Sequence, residues 1–128
     1  LKHEETTYHY VVVREDLPLG VIAAQLVHAA GESSPGDLKS GTYAVVLAAR
    51  SEAHLLELAA CLRQAHVPHV LVEEPDPPWN GATMAIGIVP TTDRKRVQQV
   101  LGRLPLLRRS SSLKTRSGSS VVSRPSTG

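Results

Sequence analysis

Tyr10-Val11-Val12-Val13-Arg14 runs into Glu15-Asp16-Leu17-Pro18-Leu19 and then into Gly20 to Ala30, a stretch whose only polar side chains are Gln25 and His28. That order reads as a strand, an acidic turn and a buried helix packed back on the strand. Gln25 and His28 are three positions apart, so they share one helix face. A buried polar group without a partner costs about 1–3 kcal/mol. A helix this apolar must therefore bond these two side chains to the strands beneath it or line a cleft with them. Tyr8 to Arg14 carries bulky residues on both of its faces, which predicts a central strand.

The remaining chain continues the alternation. Gly31 to Gly41 holds Gly31, Ser33, Ser34, Pro35, Gly36 and Gly41 and reads as a loop. Tyr43 to Ala49 is a second buried strand. Ser51 caps the next helix, with Glu52 in its first turn, and Leu55, Leu58, Ala59 and Leu62 recur at helical spacing as far as Ala65. Pro68 opens a strand, His69 to Glu73. The three prolines of Pro75-Asp76-Pro77-Pro78-Trp79-Asn80-Gly81 exclude regular structure there. Thr83 to Val89 is a fourth strand with Met84, Ile86 and Ile88 on one face and the small Thr83, Ala85 and Gly87 on the other, where a helix can lie close. Thr92 is expected to cap a last helix carrying Val97, Val100 and Leu101.

Strand, helix, strand, helix, strand, strand, helix predicts an α/β fold: one three-layer domain, a four-stranded mixed sheet with helices on both faces. The short Pro-rich link implies at least one antiparallel pair. The domain is expected over residues 1–107, and residues 108–128 form a basic Ser/Arg-rich tail expected to be disordered. Lys2 to Gly102 holds 8 basic and 12 acidic residues, net −4, whereas Arg103 to Gly128 holds 6 basic and no acidic ones. A basic arm can hold polyphosphate or simply keep an end soluble. With no Phe and 3% aromatics, the core must be aliphatic. The single Cys61 excludes an intrachain disulfide and a multi-cysteine zinc site, and its apolar neighbours predict a buried thiol. His66 and His69 lack the partners a zinc site needs, so no metal and no cofactor is expected. No run approaches the roughly 18 apolar residues of a membrane span, and Leu1 to Glu5 lacks the apolar core of a secretory signal, so a cytoplasmic protein is expected.

Arg14, Asp16, Leu17, Gly20, Ala24, Gln25, His28 and Ala29 match the opening motif R-x-D-L-x-M-x-x-G-K-x-x-A-Q-x-x-H-A of the type-two (archaeal/eukaryotic-type) peptidyl-tRNA hydrolases, with two residues missing between Asp16 and Gly20. Pro68 to Glu74 and Thr83 to Pro90 resemble the family's strand ending in Asp-Ala-Gly and its Thr-led strand ending in Gly-Pro. The resemblance spans Tyr8 to Leu107. Departures are equally specific. The family's lysine falls on Val21, and Asp-Ala-Gly becomes Glu74-Pro75-Asp76. In these respects the chain is similar to the divergent peptidyl-tRNA hydrolase domain-containing branch, whose late His-x-x-x-x-Glu segment is comparable to His69 to Glu74.

The resemblance implies hydrolysis of the ester between a peptide and the 3′ end of tRNA. That chemistry needs an activated water, an oxyanion donor and a grip on the nucleic acid. His28, Asp16, Glu74 and Thr83 are the catalytic candidates. Gln25, Gly20, Arg14 and Trp79 are the substrate-binding candidates. His28 can serve as base or sit in the core on a backbone carbonyl. Gln25 can hold substrate or tie helix to loop. Asp16 can act on the free amides of the helix start. Glu74 can enter a cleft or stand solvated at a strand end. Thr83 can donate to an oxyanion or merely begin a strand. Gly20 leaves helix-start donors open to an anion. Trp79 can stack on a base or cap the core edge. The implied partner is peptidyl-tRNA or another RNA, and a homodimer fits the family. The alternative is a non-catalytic member that binds RNA or a protein through the same cleft.

Overall fold

A computed structural model describes residues 5–108. The elements follow in the order β1 (Tyr8–Arg14), α1 (Leu19–Ser33), β2 (Tyr43–Ala49), α2 (Glu52–Gln64), β3 (His69–Glu74), β4 (Ala82–Ile88) and α3 (Arg94–Leu101). The four strands form one sheet in the order β2-β1-β4-β3. β1 pairs in parallel with β2, residue for residue from Tyr8↔Tyr43 to Arg14↔Ala49, and antiparallel with β4. β3 and β4 are antiparallel, with a register shift between Val72 and Glu73. The mixed sheet and its central β1 are therefore as the alternation predicts. Of the expected basic tail only Arg108 is described; the rest lies outside the described residues.

Alternation on the strands divides the core into two layers. Tyr10, Val12, Leu47, Ile86 and Ile88 face α2 and α3, meeting Leu55, Leu58, Leu62, Val97 and Leu101. Val11, Val13, Val72, Met84 and Ala85 pack on the α1 side with Leu17, Ile22 and Ala29; Met84 leaves the face of Ile86 and Ile88 expected from alternation because it is skipped where the β3–β4 register shifts between Val72 and Glu73. The sheet is thus covered on both sides, by one helix on one face and two on the other.

α1 is a surface helix rather than a buried one. Only Ile22, Gln25, Ala29 and Ser33 are buried, while Leu19 is 81% and Val27 72% exposed. It also runs three residues past Ala30, through Gly31, and ends before Pro35. Its last turn comes very close to β4: a Cβ placed on Gly87 would lie 2.4 Å from the Ala29 carbonyl oxygen and 2.6 Å from Ser33 Oγ. The small face of β4 is what lets the helix settle there. Ser51 caps α2, accepting from the His54 amide at 3.2 Å. α3 is capped by Asp93, not Thr92, through the Arg96 amide at 3.3 Å, because the Asp carboxylate sits one residue nearer the helix. Cys61 is exposed: Leu55, Leu58, Ala59 and Leu62 define the inner face of α2, and position 61 falls off it.

Sequence reading missed a buried pair beneath α1. His9 Nε2 lies 2.8 Å from Ser33 Oγ, and Ser33 Oγ donates to the Ala29 carbonyl at 2.7 Å. The hydroxyl proton is thus committed, so the hydroxyl accepts from a neutral His9 protonated on Nε2. Burial lowers the His9 pKa from 6.5. A proton then binds the unfolded chain more readily than the folded one. This contribution to stability is complete above pH 6.5 and is lost as pH falls from there through the lowered folded value. Urea denaturation at descending pH should therefore show a steeper loss of stability for the wild type than for His9→Gln; parallel curves would refute the assignment.

Candidate functional site

β3 stops at Glu74 because Pro75 has no amide to continue the ladder. The chain then loops back through Trp79 and Asn80, whose amides both donate to the Asp76 carbonyl, at 3.0 and 3.1 Å, and the Gly81 amide returns to the Glu74 carbonyl at 2.7 Å. Asn80 and Gly81 take left-handed φ values of 49° and 92°, which Asn and Gly tolerate best. The loop folds over the start of α1 and encloses an open cleft of about 440 Å³. Pro18, Gly20, Val21, Ala24 and Gln25 form one wall; Glu74, Asp76, Pro77 and Trp79 form the other.

Gln25 is 3% exposed. Its Nε2 donates to Glu74 Oε1 at 3.2 Å, and the second oxygen, Glu74 Oε2, accepts from the Asp76 amide at 3.2 Å. Gln25 Oε1 is buried and has no hydrogen-bond partner among the described residues. The N-cap of α1 is Pro18, which supplies no side-chain cap. The first intrahelical bond runs from the Ile22 amide to the Pro18 carbonyl at 2.9 Å. First-turn amides before it have no acceptor inside the helix, and the helix dipole is positive there. The cleft therefore sets open backbone donors at the start of α1 on one wall across from the carboxylates of Glu74 and Asp76 on the other.

Of the residues singled out in the sequence, Gln25, Glu74, Gly20 and Trp79 meet in this cleft. Trp79 also packs on the α1-side core, so it both caps the core edge and lines the cleft. His28 does not join them. It lies on the same helical stripe as Val21, one turn beyond Gln25, exposed and outside the cleft lining. Thr83 does not join them either: it is buried, and its backbone is the part that bonds, its amide donating to Glu52 Oε2 at 2.8 Å. Asp16 takes no part in capping α1. It forms a two-point pair with Arg14, Nε to Oδ1 at 2.9 Å and Nη2 to Oδ2 at 3.0 Å. That pair raises the Arg14 pKa. Arg14 Nη1 also donates to the Thr83 carbonyl at 3.3 Å, and its guanidinium lies 6.0 Å from the Trp79 ring centre. Arg14, Asp16 and Thr83 therefore form a brace behind the Trp79 loop. Glu52 and Asp76 went unnoticed as parts of this region. Asp76 carries a visible signal, a second carboxylate two residues past Glu74 across a proline. Among the described residues no group of three His, Cys, Asp or Glu side chains is arranged to hold a metal ion.

The family model described as peptidyl-tRNA hydrolase PTH2 matches residues 7–107. The chain belongs to this family. None of the curated proteins matches the chain. Among solved structures, a protein of unknown function from Agrobacterium tumefaciens strain C58 superposes with a TM-score of 0.51 at 19% identity, covering 80% of this chain and 98% of that one. That likeness concerns the fold. Membership gives the cleft its context, since Gly20, Gln25 and His28 belong to the family's opening motif. The position that the motif fills with lysine is Val21, which lines the cleft wall here. No helix among the described residues is long and apolar enough to cross a membrane.

Proposed function

We propose that the cleft takes the acyl-ester end of a peptidyl-tRNA and that Glu74 drives hydrolysis of the ester. The observation that carries this reading is the Gln25–Glu74 hydrogen bond, set beside a helix start without a side-chain cap. Gln25 holds the carboxylate in one orientation, with an acceptor position left for a water. The water oxygen attacks the ester carbonyl carbon as its proton passes to Glu74. Negative charge gathers on the carbonyl oxygen, which faces the first-turn amides of α1. Collapse breaks the bond to the ribose oxygen, and the proton on Glu74 leaves with it as the ribose hydroxyl. The products are deacylated tRNA and the free peptide acid, which gives its remaining proton to solvent and leaves as the carboxylate. Trp79, in the cleft lining, offers an aromatic ring for the terminal base to stack on. His28, outside the cleft, contacts the nucleic acid as it enters. Arg14, Asp16 and Thr83 position the loop. Such a substrate is met where translation occurs, which fits a cytoplasmic protein.

Val21 favours a second reading. Valine supplies no charge to polarise a carbonyl, and a family cleft without its lysine is suited to binding an RNA end without turnover. Incubating the purified chain with peptidyl-tRNA and following peptide release separates the two. Release by the wild type, with KM raised about threefold in His28→Ala as for a peripheral contact, is the expected result. No release by the wild type together with release gained in Val21→Lys would overturn hydrolysis in favour of binding alone.

A further inference from the structure

We infer that this cleft selects acyl groups bearing a primary alkylammonium; the inference rests on the acyl-ester reading above and concerns which acyl groups are held. Its lining contains two carboxylates, Glu74 and Asp76, and no basic side chain. No group among the described residues bonds the Asp76 carboxylate. Gln25, buried at 3% exposure, has its amide nitrogen committed to Glu74 and its Oε1 left without a donor. The set is acceptor-only. A buried acceptor left open is destabilising until something donates to it.

An ammonium group is the complement. It has three donors and no acceptor, is compact, and gains from charge-assisted bonds to carboxylates. A phosphate beside Glu74 and Asp76 meets the repulsion of two carboxylates. Arg14 is not available to neutralise the carboxylates, being held in its two-point pair with Asp16. The rest of the lining suits an alkyl stem: Val21, Ala24, Pro77 and Trp79 are apolar surfaces beside the acidic end. Val21 then has a positive role. A lysine there would place a resident cation in the cleft and compete with the ligand's own.

Three tRNA esters built on one carbon skeleton test this: N-acetyl-norleucyl, without a cation; norleucyl, with an α-ammonium; and N-acetyl-lysyl, with a side-chain ammonium. Deacylation kcat/KM is measured for each. Binding is measured in parallel by calorimetry, using the matching adenosines in which a 3′-amide replaces the ester. At least one ammonium-bearing arm should exceed the uncharged one by about tenfold, and the arm that gains identifies the source of the ammonium. Asp76→Asn should lower that ratio by about threefold, and Val21→Lys should reverse the preference. Equal values within about twofold in both assays would overturn the inference. Selective binding without turnover of any ester defeats the hydrolysis reading and leaves cation selection standing. Turnover without selection defeats cation selection alone.

Discussion

Glu74→Gln lowers peptide release from peptidyl-tRNA by about two to four orders of magnitude while the protein remains folded. The substitution keeps the side chain's size and its place at the end of β3. Gln25 Nε2 still has an oxygen to donate to, and the Asp76 amide can lose its acceptor at the solvent-exposed rim of the cleft without unfolding the loop. What disappears is the one carboxylate of the cleft lining that Gln25 of α1 holds in place and that can take a proton from water; the other, Asp76, stands on the exposed rim. Single-turnover deacylation compares the two proteins, and circular dichroism with a thermal melt shows that structure is retained. Undiminished release by a folded Glu74→Gln protein would remove Glu74 from the chemistry and return attention to the exposed His28.

The second large effect is on stability. Gly87→Ala is expected to destabilise the protein by about 3 kcal/mol, lowering the melting temperature on the order of 10 °C. A methyl group there has nowhere to go: the Ala29 carbonyl oxygen lies 2.4 Å from the added carbon and Ser33 Cβ 2.8 Å. The carbonyl is backbone, and it already accepts from Ser33. Ser33 in turn meets His9. Relief requires α1 to lift from the sheet, which also loosens Ala29, buried completely beneath it. A Gly87→Ala protein that melts with the wild type would show that α1 and β4 can separate freely at this crossing.

The architecture was legible because each element carries its own periodicity. Period-two alternation marks β4, and its small face predicts the close helix now seen at Gly87. The prolines of Pro75–Pro78 mark the loop that closes the cleft. The site was legible only in part. A helical wheel gives the angle of Gln25 and His28 around α1, but not how far along the axis a cleft extends. The Trp79 loop covers the turn holding Val21, Ala24 and Gln25, and leaves His28 one turn outside it. Thr83 shows the same gap: alternation assigns it to a face, yet burial of that face hides its hydroxyl and leaves its backbone as the useful part. Asp16 was drawn to the helix start by sequence proximity, but Arg14 is nearer and carries a full charge. His9 lies within an apolar run, and only the position of Ser33, set by a helix longer than its glycine suggested, reveals its partner.

The Ala48 amide donates to the Pro105 carbonyl and the Leu107 amide to the Val46 carbonyl, at 2.9 and 3.0 Å, with Leu47 bridging Leu106. Those three residues occupy the outer margin of β2, the place where an alien strand would otherwise zip on. At the opposite margin, the irregularity between Val72 and Glu73 and the charge of Glu73 discourage the same intrusion. Strand-to-strand association along Val46 to Ala48 is therefore closed as long as Pro105 to Leu107 stay seated, whereas the start of that edge at Tyr43 stays open, 60% exposed.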